Sequence, residues 1–189
     1  FKARLIQTKN AIESGAIGEA SMLVEKLIFK AENRLRERKE ENDGNGRVRY
    51  KRLSSDETER RNHDLLMVKV LKTRILRERG ELKEALQALN ELRAFVKDND
   101  IISEDRAFIE YHFESGRCYL ASGEKEKGIE HLKQAFARFS SKDYPFAYSK
   151  THEQYLNVLE TMILGFHSMN DRNRAKDYTR EYLEILGSK

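Results

Sequence analysis

Four places in this 189-residue chain share one skeleton. At Gly15/Ala20, Gly80/Ala85, Gly123/Gly128 and Asn170/Ala175 a helix-compatible run meets a turn residue, and a small residue five positions later heads a second amphipathic run. A unit recurring at tens of residues cannot bury its apolar face alone, so the pattern commits the chain to stacked hairpins. Such stacks present extended surfaces, which points toward binding rather than catalysis.

Composition agrees with helices throughout. Charged residues make up 36% of the chain, Trp is absent and there is a single Pro, so helix is favoured over strand almost everywhere. The net charge of +4 arises from 36 basic against 32 acidic residues, which does not describe a uniformly basic nucleic-acid binder. The lone Cys118, beside Tyr119 and Leu120, cannot form an internal disulfide and is expected to be at least partly buried. A reducing, intracellular and cytoplasmic setting is expected, with a nuclear one as the alternative. No apolar run is long enough to span a bilayer, so no membrane association is expected. The start at Phe1 is neither a signal peptide nor an initiator Met, as in a chain processed or cut from something larger.

Periodicity predicts eight helices in four hairpins. The first runs from Lys2 to Ile12, and the second starts near Gly18 with Leu23, Leu27 and Ile28 as its stripe. Leu65, Val68, Leu71 and Ile75 mark a helix from about Glu57 to Arg79, and Leu82, Ala85, Leu86, Leu89 and Leu92 mark its partner after Gly80. Ser103 or Asp100 is a candidate N-cap for the helix carrying Phe108, Tyr111 and Cys118. Beyond Ser122-Gly123 come Ile129, Leu132, Ala135 and Phe136. Pro145 suits the first turn of a helix reaching Met169, and the last helix bears Ala175, Tyr178, Tyr182, Ile185 and Leu186.

Residues 40–61 interrupt this order. Asp43-Gly44-Asn45-Gly46 is turn-forming, Arg47-Val48-Arg49-Tyr50-Lys51-Arg52 is basic, and Ser54-Ser55-Asp56-Glu57 resembles a helix start. The segment reads as a charged, flexible insertion in an otherwise single domain, because so few apolar residues cannot offset the entropy of ordering them. Arg47, Arg49, Tyr50, Lys51 and Arg52 also form a possible basic arm for phosphate binding or nuclear localisation, with Tyr50 available for stacking.

The clearest unit reads Tyr111-His112-Phe113-Glu114-Ser115-Gly116-Arg117-Cys118-Tyr119-Leu120-Ala121-Ser122-Gly123, followed by Gly128, Ile129, Leu132 and Ala135. It resembles a tetratricopeptide repeat: small Gly116 where helices cross, Tyr119 at the hairpin, Gly123 at the turn, and Gly128 with Ala135 permitting close approach. The turn positions are 65, 43 and 47 residues apart, beyond the roughly 34-residue period of the standard repeat. The resemblance is therefore to a divergent, long-helix variant. It implies an all-α fold, a right-handed α-α superhelix of about four antiparallel hairpins.

The resemblance also implies a concave groove lined by the first helix of each pair. Carried over position by position, it places Lys9, Met67, Val70, Arg74, Arg77, Phe113, Arg117, Leu120, Leu164 and His167 there. Lysine and arginine interleaved with apolar residues would suit an acidic, hydrophobic segment of a partner protein. The alternative is that these arginines are solvated and paired locally, as Arg74 with Glu78 four residues on. Val70, Arg74, Glu110, Glu114 and Arg117 stand where a chaperone-tail carboxylate clamp would need paired Asn and Lys, so no such clamp is expected.

Catalytic and metal motifs are not found. His63, His112, His131, His152 and His167 lack metal-ligand spacing and are read as surface or groove residues. Gly44-Asn45-Gly46 lacks the Lys-Ser/Thr and the following helix of a P-loop. The expectation is a non-catalytic scaffold or adaptor with no cofactor. Two readings stand beside it: a nucleic-acid-associated regulator using residues 34–61, and a structural subunit that self-associates or docks in a larger complex, with Tyr144, Phe146, Tyr148, Tyr178 and Tyr182 available to cap such a contact.

Overall fold

The fold was read from a computed structural model that describes residues 1–36, 39–42, 48–51, 54–99, 106–140 and 153–187. Eight helices occur among them: α1 (Lys2–Glu13), α2 (Ile17–Arg36), α3 (Ser55–Glu78), α4 (Leu82–Asp98), α5 (Arg106–Ala121), α6 (Lys125–Ser140), α7 (Glu153–Ser168) and α8 (Arg172–Gly187). Between α2 and α3 lie two short antiparallel strands, β1 (Lys39–Asn42) and β2 (Val48–Lys51).

The four turns foreseen from sequence share one backbone geometry. Gly15, Gly80, Gly123 and Asn170 have φ of 77°, 77°, 86° and 59°, the left-handed region that an L side chain other than Asn or Asp rarely enters. In each, the turn residue's N–H reaches the carbonyl three residues back and the next N–H reaches five back: Gly15 to Ile12 and Ala16 to Ala11, repeated at Gly80, Gly123 and Asn170. This Schellman pattern satisfies the orphan carbonyls of the first helix and reverses the chain within a few residues. The small residue five positions on is what lets the second helix close: Ala20, Ala85 and Ala175 are fully buried. At Gly128 even a Cβ would stand 2.8 Å from Leu120 Cγ.

Three apolar clusters run along the array. Ala11, Ile12, Ala20, Val24 and Leu27 meet Val68, Leu71 and Ile75 of α3. The other side of α3, through Leu66, Met67 and Val70, meets α4 and then Ala107, Tyr111 and Cys118 of α5. From α5, Ile109 joins Ile129, Leu132, Tyr155, Leu159, Met162, Phe166 and Ile185 of α6, α7 and α8. The first helices contact one another in series, α1 with α3, α3 with α5 and α5 with α7, whereas α2, α4, α6 and α8 do not touch each other. Closer spacing on one side than the other curves the stack, with the first helices on the inner face.

Within 40–61, expected as a flexible insertion, the described residues include secondary structure. Asn42 ends β1, Val48–Lys51 forms β2, and α3 begins at Ser55, its first turn capped by Ser54 Oγ accepting from the Glu57 N–H at 3.3 Å. The cap and the acidic Asp56 and Glu57 explain the early start, since both suit a helix N-terminus. Glu40 and Glu41 stand opposite Tyr50 and Arg49 in the ladder. Of the possible basic arm, Arg49, Tyr50 and Lys51 lie on β2, while Arg47 and Arg52 fall outside the described residues. So do Asp100, Ser103, Tyr144, Pro145, Phe146 and Tyr148, with the cap and helix start expected there. Tyr178 and Tyr182 pack against the last core cluster.

Candidate functional site: the inner groove

A groove of about 510 Å³ runs along the inner face, and every residue lining it comes from a first helix. Helix α1 contributes Lys9 and Glu13, α3 Met67, Val70, Leu71 and Arg74, α5 Glu110, Phe113, Glu114 and Arg117, and α7 Glu153, Gln154, Asn157, Glu160 and Thr161. Their positions follow from the turns: with each hairpin fixed in register at its left-handed residue, one stripe of each first helix is left uncovered by its partner.

Six of the ten residues expected in the groove line it together: Lys9, Met67, Val70, Arg74, Phe113 and Arg117. The other four do not. Arg77 is turned into the α3–α5 interface, where its Nε donates to Glu114 Oε1 at 2.6 Å and its Nη2 to Glu78 Oε1 at 2.9 Å. Leu120 packs inside, against Gly128 and Gly165. Leu164 is 63% exposed and His167 is exposed at the end of α7, both away from the lining. Arg77 and Leu120, each three residues before its turn, face a neighbouring helix, whereas Leu164 and His167 lie on an exposed side of α7 outside the lining.

Beside the expected cations the groove also carries carboxylates. Three cations, Lys9, Arg74 and Arg117, face five carboxylates, Glu13, Glu110, Glu114, Glu153 and Glu160. Lys9 lies 3.8 Å from Glu110, and Gln154 also donates to Glu110. Arg117 lies 3.6 Å from Glu78 and 4.0 Å from Glu114, with its guanidinium 5.6 Å from the Phe113 ring centroid. Glu114 is almost wholly buried, and its carboxylate is held by Arg77. Burial lowers the proton affinity of Arg77, but Glu114 and after it Glu78 and Cys118 together outweigh it, and the net shift is upward. Removing one partner of such a pair costs about 3–5 kcal/mol, because the other is left charged and buried.

Arg74 is the exception to this pairing. Glu78, its expected partner, is taken by Arg77 and Arg117, and the buried Arg74 Nε has no hydrogen-bond partner. Burial, and after it the like charges of Arg77 and Arg74 against the attraction of Glu114, leave Arg117 below the ordinary arginine range. The floor between α3 and α5 thus holds a guanidinium N–H without an acceptor among the described residues, while α7 supplies Glu153 and Glu160.

Cys118, His112 and His131 lie outside the groove lining. Cys118 is fully buried, and burial followed by the adjacent Glu114 carboxylate pushes its thiol well above the usual range. Among the described residues no three His, Cys, Asp or Glu side chains gather in a way that would hold a metal ion, and no helix is long and apolar enough to cross a membrane. His112 and His131, read from sequence as separate polar residues, meet on the outer side with Nδ1 atoms 3.0 Å apart. Their spacing of 19 residues crosses the hairpin turn, which no local motif would reveal.

No protein-family model matches the chain, and no curated protein matches it. Two solved structures do: a protein of Podospora anserina assigned as a kinesin light chain with nearly identical TPR-like repeats, and a single-substitution form of it. Each is 14% identical at a TM-score of 0.50, over 99% of this chain and 95% or 94% of the other. At that identity the likeness concerns the fold, and it agrees with the four left-handed turns and the layer of first helices. The chain has the fold of a tetratricopeptide-like helical-repeat solenoid.

Proposed function

We propose that the chain is a non-catalytic protein-interaction module that holds an extended or helical segment of a partner in the inner groove. The observation that carries this reading is Arg74: a guanidinium nitrogen buried without an acceptor, beside Met67, Val70 and Phe113, in a groove built only from first helices. An unmet buried donor costs about 1–3 kcal/mol, which a carboxylate from a partner would recover as a charge-assisted bond. Met67, Val70 and Phe113 supply apolar contact next to it. The preferred segment carries an acidic residue beside an apolar one, as the sequence leads one to expect. Glu153 and Glu160 on the α7 wall add a requirement that the sequence reading lacked, a basic residue on the side facing α7.

A random peptide display library selected on the full chain tests this. Enriched peptides should pair an acidic with an apolar residue, and their affinity should fall about tenfold or more in Arg74→Gln with thermal stability not reduced. Absence of enrichment, or equal affinity for wild type and Arg74→Gln, would overturn the reading.

A further inference from the structure

The outer side of the array holds a second pocket. It is lined by residues of α4, α5 and α6, has a volume of about 610 Å³ and shares no residue with the groove. That volume is within the range of small-molecule sites. At its centre stand His112 and His131, Nδ1 to Nδ1 at 3.0 Å, with Tyr119 stacked on His131 at a centroid distance of 5.4 Å. Two imidazolium rings could not keep that contact, so at least one ring is neutral and accepts through its lone pair. Burial, then His131 and Arg138, holds His112 at about 3, and burial with Arg93 keeps His131 below its usual value.

The charges around the pair are unbalanced. Arg93 and Lys97, one turn apart on α4, have no ion pair among the described residues, and Lys127 is engaged by Glu124, outside the lining. Glu130 is the one carboxylate among the described lining residues. The positive field of Arg93 reaches inward, acting on both His131 and the Tyr111 phenol. A pocket with two cations at its rim that pair with no described residue, and imidazoles at its floor, is matched by a compact dianion.

We infer that this outer pocket binds a small phosphate monoester, its phosphate held by Arg93 and Lys97 over the His112–His131 pair. The volume leaves room beside the phosphate for a small polar body, and Asn90 and Glu130 offer it hydrogen-bonding groups. Neither the ligand nor its face is that of the proposed peptide groove, so the two stand independently.

The full chain is titrated near neutral pH with ribose 5-phosphate, inorganic phosphate and ribose, following backbone amide resonances by NMR. Ribose 5-phosphate should give saturable shifts at Arg93, Tyr111, His112 and His131, inorganic phosphate weaker saturable shifts at the same amides, and ribose none. The double variant Arg93→Gln/Lys97→Gln should weaken binding about tenfold or more, while Arg74→Gln binds as wild type. Shifts that do not saturate, that scatter over surface lysines, or that persist unchanged in the double variant would overturn the assignment.

Discussion

Single residues fix the hairpins in two different ways, and substitution separates them. Gly15, Gly80 and Gly123 are held by φ, with open space where a Cβ would go, whereas Gly116 and Gly128 have ordinary helical backbones and no space at all. At Gly116 a Cβ would stand 2.6 Å from Leu132 Cγ and 3.0 Å from the Gly128 carbonyl oxygen. The side chain of Leu132 is fully buried and the carbonyl is backbone, so neither can yield cheaply. Gly116→Ala should therefore destabilise by about 1–3 kcal/mol despite the higher helix propensity of Ala. Gly18, exposed in the first turns of α2 with nothing near its missing Cβ, is the control: Gly18→Ala should stabilise by about 0.5–1 kcal/mol. Urea unfolding reads both as midpoint shifts of opposite sign at constant slope. Equal signs would mean that propensity, not the α5–α6 crossing, governs these positions. The same comparison explains Thr8 and Thr73, which stand seven residues before their turns as Gly116 does before its own. Both are fully buried, and each hydroxyl donates to the carbonyl four residues back, Arg4 and Lys69 respectively. A hydroxyl that satisfies itself within its own helix can occupy a tight crossing that the sequence pattern reserves for glycine.

Between elements, the polar contacts decide how α5 is held, by the Arg77–Glu114 pair toward α3 and the His112–His131 pair toward α6. The imidazole contact makes stability depend on pH with a definite sign. His112 has an ordinary value of 6.5 when unfolded and about 3 when folded, so between those values the unfolded chain binds the extra proton. Its contribution is complete above about pH 6.5 and is lost as pH falls toward 3, with a slope of at most about 1.4 kcal/mol per pH unit for one proton. His131 shifts in the same direction, and Arg93 and Arg138 oppose protonation of the pair. The unfolding free energy measured from about pH 6 to about pH 4 should fall less steeply in His112→Gln than in wild type. Parallel profiles would show that the imidazole is not held neutral by the fold. Local signals made the helices legible, since apolar stripes, glycine turns and the Ser54 cap are all encoded within a few residues. The His pair, and the turning of Arg77 into the interface while Arg74 faces the groove, depend on the phase between separate helices. Sequence spacing on one helix does not carry that phase.

At the scale of the molecule, α3 and α5 each belong to two apolar clusters, so the array is three cores joined through first helices rather than one core. This explains why the inner face could be anticipated as a surface but not in its charge. Four first helices bring their stripes together only when stacked, and the acidic members Glu13, Glu110, Glu114, Glu153 and Glu160 lie on three of them. The joined-core arrangement also predicts how the fold comes apart. Leu27 is 1% exposed in the first cluster, where it packs with Val24, Val68 and Ile75, and none of its cluster partners lies beyond α3. Leu27→Ala should cost about 2–5 kcal/mol, and in a nearest-neighbour array that loss falls on the hairpin that bears it. Amide exchange of α1 and α2 should accelerate in proportion, while α7 and α8, whose cluster is anchored by Tyr155, Leu159, Met162 and Phe166, keep their protection. Helix α3 is the deciding element: its amides report one core on the Val68, Leu71 and Ile75 face and another on the Leu66, Met67 and Val70 face. Intermediate protection there, between the opened first hairpin and the closed last one, is the outcome expected of three linked cores. Uniform acceleration from α1 to α8 would mean that the array unfolds as one cooperative unit.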